Sequence, residues 1–245
     1  MVVNAGSGRR LEYAYSVGGV ACGYEVVVIA PEAVGFAPLR WLREIGALSA
    51  LAGVTVDVIG GQEAGPGAVS AGLRRRVDAV IWSGHGQPNG LLLSDGSVID
   101  GEWIATQVRC GAPRVMVLAA CGSALKDEHL ESLASEVSRV GVNVVGLPMD
   151  SADLGVITFN VEFVRALVAG ADCWTAHRVA CKRVAGDYPE LAAGIFLTPG
   201  LTNGYRVIVD RLDRMEGRLD ALAALIEEHV GQGSRRRTRG RLNRG

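Results

Sequence analysis

The chain has 245 residues, 49% hydrophobic and 5% aromatic, enough apolar material for one substantial α/β core plus an extension and too much for a disordered protein. Its formal net charge of −1 hides an asymmetry, because Arg235, Arg236, Arg237, Arg239, Arg241 and Arg244 stand together with no acidic residue among them and leave the remaining chain acidic. No apolar run reaches the roughly 18 to 20 residues of a membrane span and no cleavable leader opens the chain, so a cytoplasmic protein is expected. Five scattered cysteines without C-x-x-C spacing argue against a disulfide framework or a zinc site, and suit a reducing compartment.

In chain order, residues 1–20 form a polar, glycine-bearing lead-in. Tyr24 to Ala30, closed by Pro31, predicts a first buried strand. Leu39, Leu42, Ile45, Leu48 and Leu51 form a helical stripe over 36–51, and Val54 to Ile59 a second strand. A short helix over 68–75 leads to the apolar run Val80-Ile81-Trp82. Asp95-Gly96, set between apolar residues, predicts the turn of a small hairpin over 91–99, and Asp100 is placed to N-cap a helix over 101–108. Val115 to Leu118 is the next strand, followed by a helix over 124–139, a fifth strand over 143–147, helices over 152–169 and 173–184, and a last strand over 194–197. Strand, helix and strand in alternation is the pattern of right-handed crossovers that builds a parallel sheet.

Two of these strands end alike. The run Val80-Ile81-Trp82 stops at Ser83-Gly84-His85-Gly86, and the run Val115 to Leu118 stops at Ala119-Ala120-Cys121-Gly122-Ser123. In a parallel sheet, functional groups gather just beyond the carboxyl ends of the strands. His85 and Cys121 are then expected on one edge, where a thiol beside an imidazole is the minimal apparatus for covalent acyl transfer. SGHGQPNG is not a dinucleotide fingerprint, since Pro88 follows where a helix should start and no ribose-binding acid stands about 20 residues on; no cofactor is expected.

The combination SGHG, LLLSDG and VLAACGS, with the downstream VVGLPMDSADLGVITFNVEFVRALVAGADCWTAHRVA, resembles the caspase-like cysteine peptidases of bacteria, in particular the CHAT domain. The resemblance spans roughly residues 24–199. It implies a caspase-like, mostly parallel sheet flanked by helices over 21–200, with His85 and Cys121 as the catalytic dyad and the backbone N–H groups of Gly86 and Cys121 as the oxyanion hole. Two departures stand out. Leu147-Pro148 replaces a tryptophan common after the fifth strand, and alanines precede Cys121 where relatives selecting basic side chains often carry an acid. Asp150 and Asp153, in the loop after the fifth strand, are the alternative candidates for binding a basic side chain, although Asp153 or Ser151 could equally cap the following helix.

Taken alone, a cysteine at the end of a buried strand is more often a small core hydrophobe than a nucleophile. The ordered set of motifs favours catalysis. Cys22, Cys110, Cys173 and Cys181 read as structural, His129 as part of a solvated helix face, and His177 as helix packing. Beyond the domain, Ile208, Leu212, Met215, Leu219, Leu222 and Ile226 alternate spacings of four and three, a coiled-coil-like seam over 205–230 that suits a homo-oligomer or a coiled-coil partner, or else packs back on its own domain. Residues 231–245 make a basic tail whose arginines either contact a polyanion or are simply solvated. Two functions are carried forward: a cysteine endopeptidase acting on protein substrates, with bacterial defence or programmed death as its setting, and a catalytically silent scaffold working through the seam and tail.

Overall fold

The computed structural model describes residues 23–87, 90–121, 123, 132–148 and 152–200. The lead-in, Cys22, His129, Asp150, Ser151, the seam over 205–230 and the basic tail lie outside the described residues.

The core is a six-stranded sheet built from β1 (Tyr24–Pro31), β2 (Val54–Gly61), β3 (Ala79–Ser83), β7 (Val115–Ala119), β8 (Asn143–Gly146) and β9 (Phe196–Thr198), in the order β2-β1-β3-β7-β8-β9. All pairings are parallel except β8 with β9. The central strands are apolar at consecutive positions because both faces are covered. Val26, Val28, Ile81, Val117 and Val145 point into one core, with α1 (Trp41–Ser49), α5 (Asp153–Val168) and α6 (Cys173–Val184). Their neighbours Val27, Ile29, Val80, Trp82, Met116 and Leu118 point into the other, with α2 (Pro66–Leu73), α3 (Gly101–Gly111) and α4 (Leu133–Ser138). The expected mostly parallel α/β architecture, a sheet flanked by helices, is the one observed.

Local signals place most elements. Asp100 caps α3 by accepting from Trp103 N–H at 2.8 Å, and Pro66 opens α2 at a position where its missing N–H costs nothing. The hairpin is part of a three-stranded antiparallel sheet, β4 (Gly86–Gln87), β5 (Gly90–Leu92) and β6 (Val98–Ile99). One more helix, α7 (Pro189–Gly194), precedes β9 and was not anticipated. The first helix also starts late. Residues 36–40 are not helical, since Pro38 disfavours helix at Ala37 and cannot donate a helical hydrogen bond. Among the described residues, no helix is long and apolar enough to cross a membrane.

Phe159 anchors the larger core: it is fully buried, stacks on Phe163 with centroids 5.6 Å apart, and meets the His177 ring edge-on at 5.9 Å. Phe159→Ala is expected to cost about 3–5 kcal/mol, read as a lowered denaturant midpoint, whereas Val98→Ala on an exposed β6 position should leave the midpoint nearly unchanged.

Candidate active site

The site is positioned by one strand pair. β3 and β7 run parallel with Ser83 opposite Ala119, and Gly84 N–H donates to Ala119 O at 3.4 Å one step past the ladder. Continuing that register by two residues sets His85 level with Cys121. The two turns are in backbone contact: a Cβ on Gly86 would stand 2.5 Å from the Cys121 carbonyl oxygen and 3.2 Å from Ala120 Cβ. On Gly84 it would stand 2.6 Å from Trp82 Nε1. The glycines flanking the histidine are therefore required by close approach.

Cys121 is solvent-exposed, on a turn held from below by Ser123. Ser123 is 3% exposed; its hydroxyl donates to Leu118 O at 2.8 Å and accepts from Leu147 N–H at 2.8 Å, bridging the ends of β7 and β8. Nothing in the residue type announced this role beyond the small-residue run in which it sits.

His85 is held on three sides. Its carbonyl accepts from Leu92 N–H at 3.0 Å, which ties it to the small sheet. Its ring lies against Phe36, with centroids 4.9 Å apart, and its Nε2 is 2.9 Å from Ala37 O. A carbonyl oxygen only accepts, so Nε2 carries the proton and Nδ1 is left as the basic nitrogen. Ala37 thus supplies the third group behind the histidine, a backbone carbonyl that no side-chain motif could reveal. The Leu92 bond also makes His85 and Leu92 a hydrogen-bonded pair of the ladder. Gly86 and Leu91, one step on, are then a pair of the other kind, and Gly86 N–H points away from β5.

Asp153 begins α5, and the N-cap beside it is Ala152, with no side-chain capping bond. Its carboxylate instead accepts from Arg40 N–H at 3.3 Å and lies 3.8 Å from Arg40 Nε. The segment bearing Ala37 is therefore fastened to the start of α5.

A second thiol and imidazole meet on α6, where Cys181 Sγ is 3.6 Å from His177 Nε2. Their electrostatics oppose nucleophilic chemistry. Burial pushes the Cys181 thiol up to about 11 and draws His177 below its ordinary value, so both stay neutral near pH 7. Burial raises Cys173 too. Cys173 lines an open depression with Arg114, Asn143 and Trp174, at the opposite, amino-terminal edge of the sheet. Among the described residues no three His, Cys, Asp or Glu side chains are grouped as metal ligands.

Two outcomes follow from this geometry. Gly86→Ala must displace the backbone of the Cys121 turn, so alkylation of Cys121 by iodoacetamide should slow by about ten-fold or more, as for a misplaced reactive group, while the thermal midpoint falls modestly. Cys181 should lag well behind the exposed Cys110 in labelling at pH 8 and gain rate only as the pH approaches 11, checked by mass spectrometry of the labelled peptides.

No family model matches the chain, and no curated protein matches its sequence. Among solved structures it is similar to the Arg-specific cysteine proteinase gingipain R (RgpB), with a TM-score of 0.53 and 12% identity over 74% of this chain and 47% of that one. It is likewise similar to the complex of the Porphyromonas gingivalis RgpB pro- and mature domains, with a TM-score of 0.52 and 11% identity over 74% of this chain and 48% of that one. The chain spans about half the length of these proteinases. At such identities the likeness concerns the backbone alone, and the chain has the caspase-like α/β fold on which these cysteine proteinases are built.

Proposed function

We propose that the protein is a cysteine endopeptidase in which Cys121 is the nucleophile and His85 the base. The observation that carries this reading is the pairing of β3 with β7, which puts the two turns in backbone contact at the carboxyl edge of the sheet. His85 Nδ1 takes the thiol proton, and Sγ attacks the scissile carbonyl carbon. The tetrahedral oxyanion that forms is received by the N–H groups of Gly86 and Cys121; each such donor is worth about 3 kcal/mol in hydrolases of this type. When the C–N bond breaks, the imidazolium returns the proton to the leaving amine. Water then cleaves the thioester with His85 again as base. The Ala37 carbonyl keeps Nε2 protonated throughout, so Nδ1 remains the working nitrogen.

The resemblance to an Arg-specific proteinase supports a preference for basic side chains, with Asp150 and Asp153 as the carboxylates that would receive them. Asp153 would then exchange its partner Arg40 for the substrate cation, which would loosen the segment behind His85. A cytoplasmic setting keeps Cys121 reduced. A bacterial defence or programmed-death role, self-association through 205–230 and polyanion contact through Arg235 to Arg244 complete the proposal.

With casein or a peptide library as substrate, Cys121→Ala and His85→Ala should each lower cleavage by several orders of magnitude, as groups that act as a unit do. Full cleavage by Cys121→Ala would end the reading, and cleavage after apolar residues unaffected by Asp150→Ala and Asp153→Ala would remove the specificity assignment alone.

A further inference from the structure

A second group of polar side chains lies beneath this site, sealed from solvent. Glu44 in the first turn of α1 and Asn160 in the middle of α5 are both fully buried, and the Asn160 amide donates to Glu44 Oε1. Ser83, the last residue of β3 and two residues before His85, is buried as well and lies close enough to influence the same carboxyl. Three elements thus converge on one acid.

The hydrogen-bond accounting of this cluster fails in a specific way. Glu44 Oε2 and Asn160 Oδ1 are both buried without a partner, and both are acceptors if the carboxyl is ionised. No ion pair to Glu44 is formed among the described residues, and the charge that reaches it from α5, that of Asp153, has its own sign. Asp153 is itself paired with Arg40, ahead of α1. A single proton on Oε2, given to Asn160 Oδ1, would satisfy both orphan atoms. A neutral carboxyl has an O–H on Oε2 to give to Asn160 Oδ1 while Oε1 accepts from Asn160 Nδ2, the two-point pairing of an acid with an amide. Burial drives the Glu44 carboxyl above its ordinary range against the opposing pull of Ser83 and of the Asn160 hydrogen bond, and the Asp153 charge adds to the rise.

We propose that Glu44 is a positioning residue of the site: as a neutral acid it clamps α1 to α5, and so holds the Ala37 carbonyl that selects the His85 tautomer. The route is short. Ala37 precedes α1 by four residues, the carbonyl of Arg40 accepts from Glu44 N–H at 3.3 Å, and the N–H of Arg40 is tied to Asp153 of α5. The inference rests on His85 being the base of the site, but its readouts do not require peptidase activity.

Nitrogen-15 NMR on the full chain reads which ring nitrogen of His85 is protonated, and thermal midpoints across pH read the Glu44 proton. The wild type should show the Nε2–H form. Its stability should fall as pH rises, because a carboxyl whose folded value is raised contributes fully below its unfolded value and loses that contribution as pH climbs through the folded one. Glu44→Gln places an NH₂ where the O–H stands; it should keep the Nε2–H form and remove that part of the fall. Glu44→Leu, of similar bulk without hydrogen bonds, should give a mixture of tautomers and slow Cys121 alkylation by about ten-fold or more, since a positioned base is worth on the order of 100-fold. If Glu44→Leu does not fold, Asn160→Ala supplies the same tautomer readout. An unchanged tautomer in Glu44→Leu or Asn160→Ala overturns the proposal, as does a Glu44→Gln protein less stable than wild type at every pH, which would mean that the ionised form is needed. A tautomer that responds as described in a protein that cleaves no peptide would uphold the positioning role while removing the peptidase reading.

Discussion

The structure depends on the parallel pairing of β3 with β7. Those two strands sit at the centre of the sheet, buried on both faces, and their register is specified because a slip of one residue would exchange the contents of the two cores. Trp82 and Leu118, for example, would be driven from one helical layer into the other. The same register decides where His85 and Cys121 leave the sheet. Hydrophobic alternation, whose energetic purpose is burial, therefore also sets the alignment of His85 with Cys121.

What lies around that pair reads as successive layers of restraint. Ser123 bridges the ends of β7 and β8 beneath the thiol. The small sheet, the Phe36 ring and the Ala37 carbonyl hold the imidazole. Behind them the Arg40 to Asp153 contact and the buried Glu44 and Asn160 pair bind the histidine segment to α5. Rigid support of this kind is what a dyad needs, because a displacement of about 1 Å at reacting atoms can cost on the order of 100-fold in rate.

Much of this was legible in the sequence. Continuous β-branched runs ending at glycine identified the strands, Asp95-Gly96 the hairpin and Asp100 the cap, because each signal reflects a local steric or hydrogen-bonding need. The stripe from Leu39 to Leu51 misled at its start, where Pro38 outweighs periodicity and the chain instead spends residues 36–40 on holding His85. The restraint on the histidine was illegible for a different reason. It comes from a backbone carbonyl, which every residue possesses, and from Glu44 and Asn160, 116 residues apart and polar where a core helix would lead one to expect exposure. Asp153 does not cap α5, because Ala152 occupies the N-cap position, and its carboxylate meets Arg40, remote in sequence, instead.

The central claim is that Cys121 and His85 act together as an acylation centre. It is tested most directly by treating the protein with a peptidyl acyloxymethyl ketone, a reagent that modifies a thiol only when a base activates it, and determining the adduct by mass spectrometry. The account predicts one adduct per chain, on Cys121, formed in the wild type and lost in His85→Ala, with Cys110, Cys173 and Cys181 unmodified. An adduct that forms equally fast in His85→Ala, or that distributes over the other cysteines, would contradict it.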